Sequence, residues 1–335
     1  MRSAVDVVPA PAPELVAAVD ALLPDAGALR WEALSGGVSS DIWRVEGEGG
    51  VYCVKRALPR LKVAADWFAP VRRNREEVKW LRFAATAAPG HVPRVVAADP
   101  ERGVAILEWC DPSVWQPWKT QLLAGQVRSG LGADMGRLLA TIHNASAATP
   151  GLAAEFDNLD LFDALRLEPY FGATALVNRD VADVLESVRN GVATHRTALV
   201  HGDVSPKNIL VHAARGPLLL DAECACWADP AFDVAFLASH LFLKAAHLSP
   251  FRQWFYETIR RFLTTYADAA AEPVDARARL VIPALMLARI DGKSPVEYLK
   301  EDMRRTVRTW VKKALVTPYE SCDAFLSAWR KDFYR

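Results

Sequence analysis

The sequence predicts an α+β chain of two lobes, a small β-rich one followed by a larger, mainly helical one. Three observations carry this. Short β-rich runs separated by turn residues fill the first third. Long stretches with apolar residues at helical spacing dominate the remainder. The character changes at "CDP", residues 110–112, which sets the expected lobes at residues 1–110 and 111–335.

In order along the chain, "DIWRV" and "VYCVKRAL" flank "EGEGG" and read as a hairpin. "PVRRNREEVKWLRFAATAA" has Val71, Val78, Leu81 and Ala85 at helical spacing, with charges between them. "HVPRVVAAD" and "GVAILEW" read as two further strands around the turn residues 99–103. Helices are then expected over residues 131–144, 232–247, 251–268, 276–290 and 295–315. The exception in the second lobe is "VHGDVSPKNILV" with the stretch that follows it.

Bulk properties exclude several classes. Acidic and basic residues balance at 40 each, so nothing marks a nucleic-acid binder or an acidic tail. No run of 18 apolar residues exists, so no membrane span is expected. The opening residues 1–23 carry Asp6, Glu14 and Asp20, which predicts a loose start and a short amphipathic helix rather than a signal peptide. The five cysteines are few and odd in number, in keeping with a reducing, cytoplasmic setting. Cys224 and Cys226 resemble half a zinc site, but no second Cys/His pair sits at zinc spacing.

"NILVHAARGPLLLDAE" reads as a hairpin with strands 209–212 and 217–220. Antiparallel pairing then puts Asn208, before the first strand, opposite Asp221, after the second. An amide oxygen and a carboxylate at one end of a ribbon make a hard-oxygen pocket suited to Mg²⁺. Asp203 lies five residues earlier, on the loop entering the hairpin. A free carboxylate beside a two-ligand magnesium site is what phosphoryl transfer to a hydroxyl needs.

The pattern His201-Gly202-Asp203-x-x-x-x-Asn208, with Asp221-x-Glu223 and then "DPAFDVAFL", resembles the aminoglycoside phosphotransferase and choline kinase superfamily. These are small-molecule kinases with a bilobal, protein-kinase-like fold. The resemblance implies Asp203 as catalytic base and Asn208 and Asp221 as Mg²⁺ ligands, with Glu223 assisting through the metal or its waters. It implies that His201 packs the loop rather than reacting, and that Asp233 braces it. Lys207 becomes a candidate for approaching the γ-phosphate.

The first lobe supplies the expected ATP clamp. In "LSGGVSSDIWRV", Gly36 and Gly37 allow close backbone approach, and Ser35, Ser39 and Ser40 are candidate phosphate donors. Lys55 sits in the middle of an apolar strand and needs a partner or a ligand. In the family such a lysine binds the α- and β-phosphates and pairs with a helix glutamate. Glu77 is the best candidate, because Val78 and Leu81 then face the core, and Glu76 is the fallback. By the same analogy, main-chain groups of Glu108 and Cys110 hydrogen-bond adenine.

The acceptor is a small molecule with a hydroxyl, such as a sugar, amino sugar or amino alcohol, bound by a monomer or homodimer. Candidate contacts are Asp163, Arg166 and Glu168, on residues 160–175, and Arg289. The segment around Arg289 is distantly similar to one that contacts substrate in methylthioribose kinases, which carry paired arginines where this chain has Ala288 and Arg289. From Pro112 onward, 26 basic residues meet 25 acidic ones, which weighs against an aminoglycoside-modifying enzyme with an acidic pocket. That activity and a nucleotide-binding scaffold are the alternative readings.

Overall fold

The computed structural model describes residues 10–34, 39–60 and 70–333. The chain is α+β, with a five-stranded antiparallel sheet in its N-terminal part and a mainly helical C-terminal part. Strands β1 (Arg30–Leu34), β2 (Ser40–Gly47), β3 (Gly50–Ala57), β4 (Val95–Asp99) and β5 (Val104–Glu108) lie in the order β1-β2-β3-β5-β4.

Alternation along the strands gives this sheet two different faces. Val54, Val104 and Ile106 join Trp43 and Val45 beneath helix α1 (Pro13–Leu22), which contributes Leu15 and Val19. Cys53, Ala105 and Leu107 turn the other way and pack with helix α2 (Arg73–Ala87). Lys55, next to Val54, therefore faces α2 and the second lobe. The α2 core residues Val78, Trp80, Leu81 and Ala84 belong to the same apolar cluster as the helical lobe.

The second lobe opens with a short strand β6 (Gln116–Pro117), then α3 (Trp118–Leu123) and α4 (Gly130–Ala147). Short helices α5 (Leu152–Glu155) and α6 (Leu159–Phe162) lead into a π-helix, Asp163–Gly172. Helices α7 (Ala173–Val177) and α8 (Ala182–Thr194) follow. Strands β7 (Ala198–Val200), β8 (Ile209–His212), β9 (Gly216–Leu219) and β10 (Cys226–Ala228) then build two small sheets, β10-β7 and β6-β8-β9.

Helix α9 (Ala231–His247) is buried along nearly its whole length, under α10 (Arg252–Ala269) and α11 (Asp275–Asp291). Helices α12 (Glu301–Val316) and α13 (Cys322–Phe333) complete the lobe. Helices α4 and α10 meet backbone to backbone: a Cβ on Gly132 would lie 2.2 Å from the Thr258 carbonyl oxygen. Among the described residues no single helix is long and apolar enough to cross a membrane.

Candidate active site

The loop after β7 is held from below by a buried acid. Asp233, near the start of α9, accepts the His201 N–H at 2.7 Å and the Gly202 N–H at 2.8 Å, one with each carboxylate oxygen. His143 Nε2 lies 3.3 Å from the same group, and its Nδ1 lies 2.9 Å from the Tyr266 hydroxyl. Gly202 is required twice over. Its φ is +77°, and a Cβ there would meet the Cys224 carbonyl oxygen at 2.6 Å.

His201 is fixed as a neutral ring. Its Nε2 faces the Leu220 carbonyl at 2.9 Å and must donate, while Nδ1 accepts the Asp203 N–H at 3.1 Å. Burial pushes the imidazole below its ordinary pKa, in agreement with that tautomer. Trp80 of α2 packs edge-on against it, with centroids 4.8 Å apart. His201 is therefore a bracket for the loop, with both nitrogens in use.

Asp203 is 5% exposed. Its Oδ2 lies 2.9 Å from Arg166 Nη2 and 3.3 Å from Lys207 Nζ. Burial pushes this carboxyl up, but Lys207 and Arg166 outweigh it and the pKa falls below the usual range. The group is thus an anion at neutral pH. Arg166, expected at an acceptor polyol, lines the cavity, clamps this carboxylate and donates from Nε to the Gly202 carbonyl at 2.5 Å. The cause is burial: a guanidinium lying 5.8 Å from the Tyr170 and Phe236 rings needs a counter-charge. It comes from the π-helix, a geometry that recurs at functional sites.

The hairpin forms, one residue out of the expected register. Ile209 pairs with Leu219, so Leu220, not Asp221, stands opposite Asn208 and donates to its carbonyl at 2.9 Å. Asp221 still reaches the cavity because its backbone turns back with φ 66°. Asn208 donates from Nδ2 to the Asp203 carbonyl at 3.0 Å, which leaves Oδ1 as its free donor to a cation. Glu223 lines the same cavity. Its Oε2 accepts from Nε of the fully buried Arg73 at 3.0 Å.

Among the described residues no group of three or more His, Cys, Asp or Glu side chains could hold a metal ion unaided. Two protein oxygens, from Asn208 and Asp221, suit Mg²⁺, which keeps waters and takes further oxygens from phosphates.

Lys55 bridges the lobes. Its Nζ donates to Glu77 Oε1 at 2.5 Å and to Asp221 Oδ1 at 2.7 Å. Glu76 pairs with Lys79 instead. Burial drives the Glu77 carboxyl up to about 7, against the pull of Lys55. Burial acts on Asp221 too, but Lys55 and Lys207 reverse it and hold that carboxyl low. One ammonium shared by two carboxylates leaves the deeper one poorly compensated.

Ser35, Gly36 and Gly37 lie outside the described residues. Ser39 and Ser40 are buried at the start of β2 and line the cavity. Arg73 ties this edge to the second lobe. Beyond Glu223, it donates to the carbonyls of Ser39, Leu58 and Pro70. Nothing in "RRNREE" distinguishes it from its neighbouring arginines, so sequence reasoning missed it. Glu108 and Cys110 line the cavity with Trp109, but the Glu108 N–H is taken by the Arg94 carbonyl at 2.9 Å.

These groups converge on one cavity of about 820 Å³ between the lobes. Arg289 lines it as well. Asp163 and Glu168 do not: they pair with Arg189 at 2.8 Å and Lys293 at 2.9 Å. Sequence reasoning missed Lys119, His240, Lys244 and Tyr298, which also line it. A signal was present for two of them, because "SHLFLKAAH" places a histidine and a lysine four apart in an apolar helix.

Comparison with known proteins agrees with this architecture. No curated protein matches the sequence. Among solved structures, a choline/ethanolamine kinase family protein from Mesorhizobium loti superposes with a TM-score of 0.53 at 20% identity, over 95% of this chain and 98% of that one. The amicoumacin kinase hAmiN, solved with AMP-PNP, Ca²⁺ and Ami, gives 0.54 at 16% identity, over 92% and 96%. The macrolide 2'-phosphotransferase MphH from Brachybacterium faecium gives 0.51 at 18%, over 92% and 99%. These likenesses show a shared kinase-like fold. The model of the APH phosphotransferase enzyme family matches residues 30–295, and the chain belongs to that family.

Proposed function

We propose that the protein is an ATP- and Mg²⁺-dependent kinase that phosphorylates a hydroxyl group of a small metabolite. The observation that carries this reading is the convergence of Lys55, Asn208, Asp221 and a separate Asp203 on one interlobe cavity. The bound AMP-PNP of the similar amicoumacin kinase supports the nucleotide assignment.

Lys55 holds phosphate oxygens, and Glu77 keeps its ammonium aimed into the cleft. Asn208 Oδ1 and the Asp221 carboxylate would hold Mg²⁺. When bound, that ion would neutralise phosphate charge. Asp203, kept ionised by Lys207 and Arg166, orients the acceptor hydroxyl and receives its proton as the oxygen bonds to the γ-phosphorus and ADP departs. Positioning and electrostatics carry most of the barrier reduction, as phosphoryl transfer asks little covalent chemistry of the protein.

The test pairs ATP calorimetry, with and without Mg²⁺, with ADP release over a panel of hydroxyl compounds. Mg²⁺-dependent ATP binding and acceptor-dependent ADP release are expected. Absence of ATP binding rejects the reading. ATP binding with no acceptor-dependent release makes the chain a nucleotide-binding scaffold.

A further inference from the structure

The cavity has a second end, away from Lys55, walled by α3, α9, α11 and residues 294–298. Lys119 enters it from α3, His240 and Lys244 from α9, and Arg289 from α11. His240 and Lys244 are four residues apart and share one helix face.

These groups are poorly compensated. Lys244 is 2% exposed, and its side-chain partner is the Tyr298 hydroxyl at 3.5 Å. Arg289 Nη1 donates to Ser294 Oγ at 2.7 Å and to the Tyr170 hydroxyl at 3.3 Å, both neutral groups. Its Nε is buried without a partner, as is Nδ1 of His240. The carboxylate at this end, Glu297, is taken by Lys119 at 2.7 Å. Among the described residues, neither Lys244 nor Arg289 is in an ion pair.

A buried cation, Lys244, and a partly buried one, Arg289, neither of them in an ion pair, are costly to a fold. The missing element is negative charge, and the cavity they face also contains Asp203. We infer that the acceptor is an anionic alcohol, a small hydroxyl compound whose carboxylate or phosphate is held by Lys244 and Arg289 while its hydroxyl meets Asp203. This rests on the kinase reading above. The anionic group takes no part in the bond changes: the hydroxyl oxygen joins the γ-phosphorus, the bond to ADP breaks, and the proton passes to Asp203. A polycation or a quaternary ammonium would meet like charge here.

Electrostatics support the same placement. Burial, then Arg289 and Lys119, push the Lys244 ammonium down to about 7, with Glu297 opposing them. The neutral groups facing it are Tyr298 and, beyond that ring, His247; His240 lies on its own helix. A bound anion favours the charged ammonium, so the KM for an anionic acceptor rises as pH passes above about 7.

The experiment uses the full chain with ATP and Mg²⁺. ADP release is measured with glycerate and gluconate, with glycerol 3-phosphate, with glycerol and ribose, and with choline and kanamycin. Thermal shift with ADP and Mg²⁺ is run on the same compounds. Turnover or stabilisation confined to the anionic compounds is expected, and the first two arms separate carboxylate from phosphate. In Lys244→Met and Arg289→Met the KM for the best anion rises on the order of tenfold or more with kcat within a few-fold. A neutral or cationic compound used as well as an anion overturns the inference. So does a panel in which no anion is turned over or stabilises the fold, or an unchanged KM in both variants. Calorimetry with ATP keeps the two readings apart: failure to bind ATP sinks the kinase assignment, whereas ATP binding with a neutral or cationic acceptor sinks only this one.

Discussion

The two ends of the interlobe cavity hold their charges in opposite ways. Around Lys55 each charge has an opposite partner: the ammonium lies between Glu77 and Asp221, and Glu223 lies against Arg73. Around Lys244 the cations have neutral neighbours and an empty share of hydrogen-bonding capacity. The contrast separates structure from readiness. At the first end the charges are paired within the fold, and on the proposed reading a nucleotide enters that network. At the second, the fold carries an electrostatic cost that the proposed anionic acceptor would relieve.

The largest effect is expected where the two ends meet. Asp203→Asn should lower kcat by roughly 10²–10⁴ while ATP binding persists, as read by ADP release and calorimetry. Near-full turnover in that variant would remove Asp203 from its role. Next comes Lys55→Met, which strands Glu77 and Asp221 without their cation. A loss of roughly 3–5 kcal/mol in urea unfolding is expected, with weakened ATP binding. A variant as stable as the wild type would break the comparison from the nucleotide side.

A smaller loss, roughly 1–3 kcal/mol, is expected for Asp233→Ala, which leaves the His201 and Gly202 amides unsatisfied. Hydrogen exchange at those two amides should rise in parallel. Unchanged protection would show that the loop does not depend on this acid.

The change at Lys244 has the opposite sign. The Lys244 ammonium is depressed from 10.5 to about 7 in the folded chain. Between those values the unfolded chain binds more protons, so stability rises with pH, at most by about 1.4 kcal/mol per unit. Lys244→Met should abolish that rise, and its gain in melting temperature should be greatest below pH 7 and fade toward pH 10.5. Destabilisation at every pH would show that Lys244 is paired after all.

Much of this site is legible in the residues. The spacing of His201, Asp203, Asn208 and Asp221 is local, because one loop and one hairpin carry it. Glu77 is legible because Val78 and Leu81 mark the inward face of α2. The hairpin register is less so: a slip of one residue leaves the apolar pattern of two short, buried strands almost intact, while the turned-back backbone of Asp221 has no local signal. Arg73 and Arg166 act across 150 and 37 residues of sequence separation, on Glu223 and Asp203, and no local pattern encodes such a contact. Asp163 and Glu168 resemble Arg166 in type and position, yet the π-helix turns only the arginine inward. His240 and Lys244 lie in a helix that periodicity alone reads as core, because the cavity wall is itself buried.

Asp221 is the one described non-glycine residue with a positive φ. A left-handed conformation costs an L-residue roughly 1–2 kcal/mol, less for aspartate than for most, and glycine would carry none of it. On the proposed metal-binding role of Asp221, folding and chemistry ask for different residues at this position. A lineage freed from the need for turnover would drift there toward glycine or asparagine and gain backbone ease. On that proposed role, replacement of the acid in a sister sequence is the change by which to recognise a silenced copy.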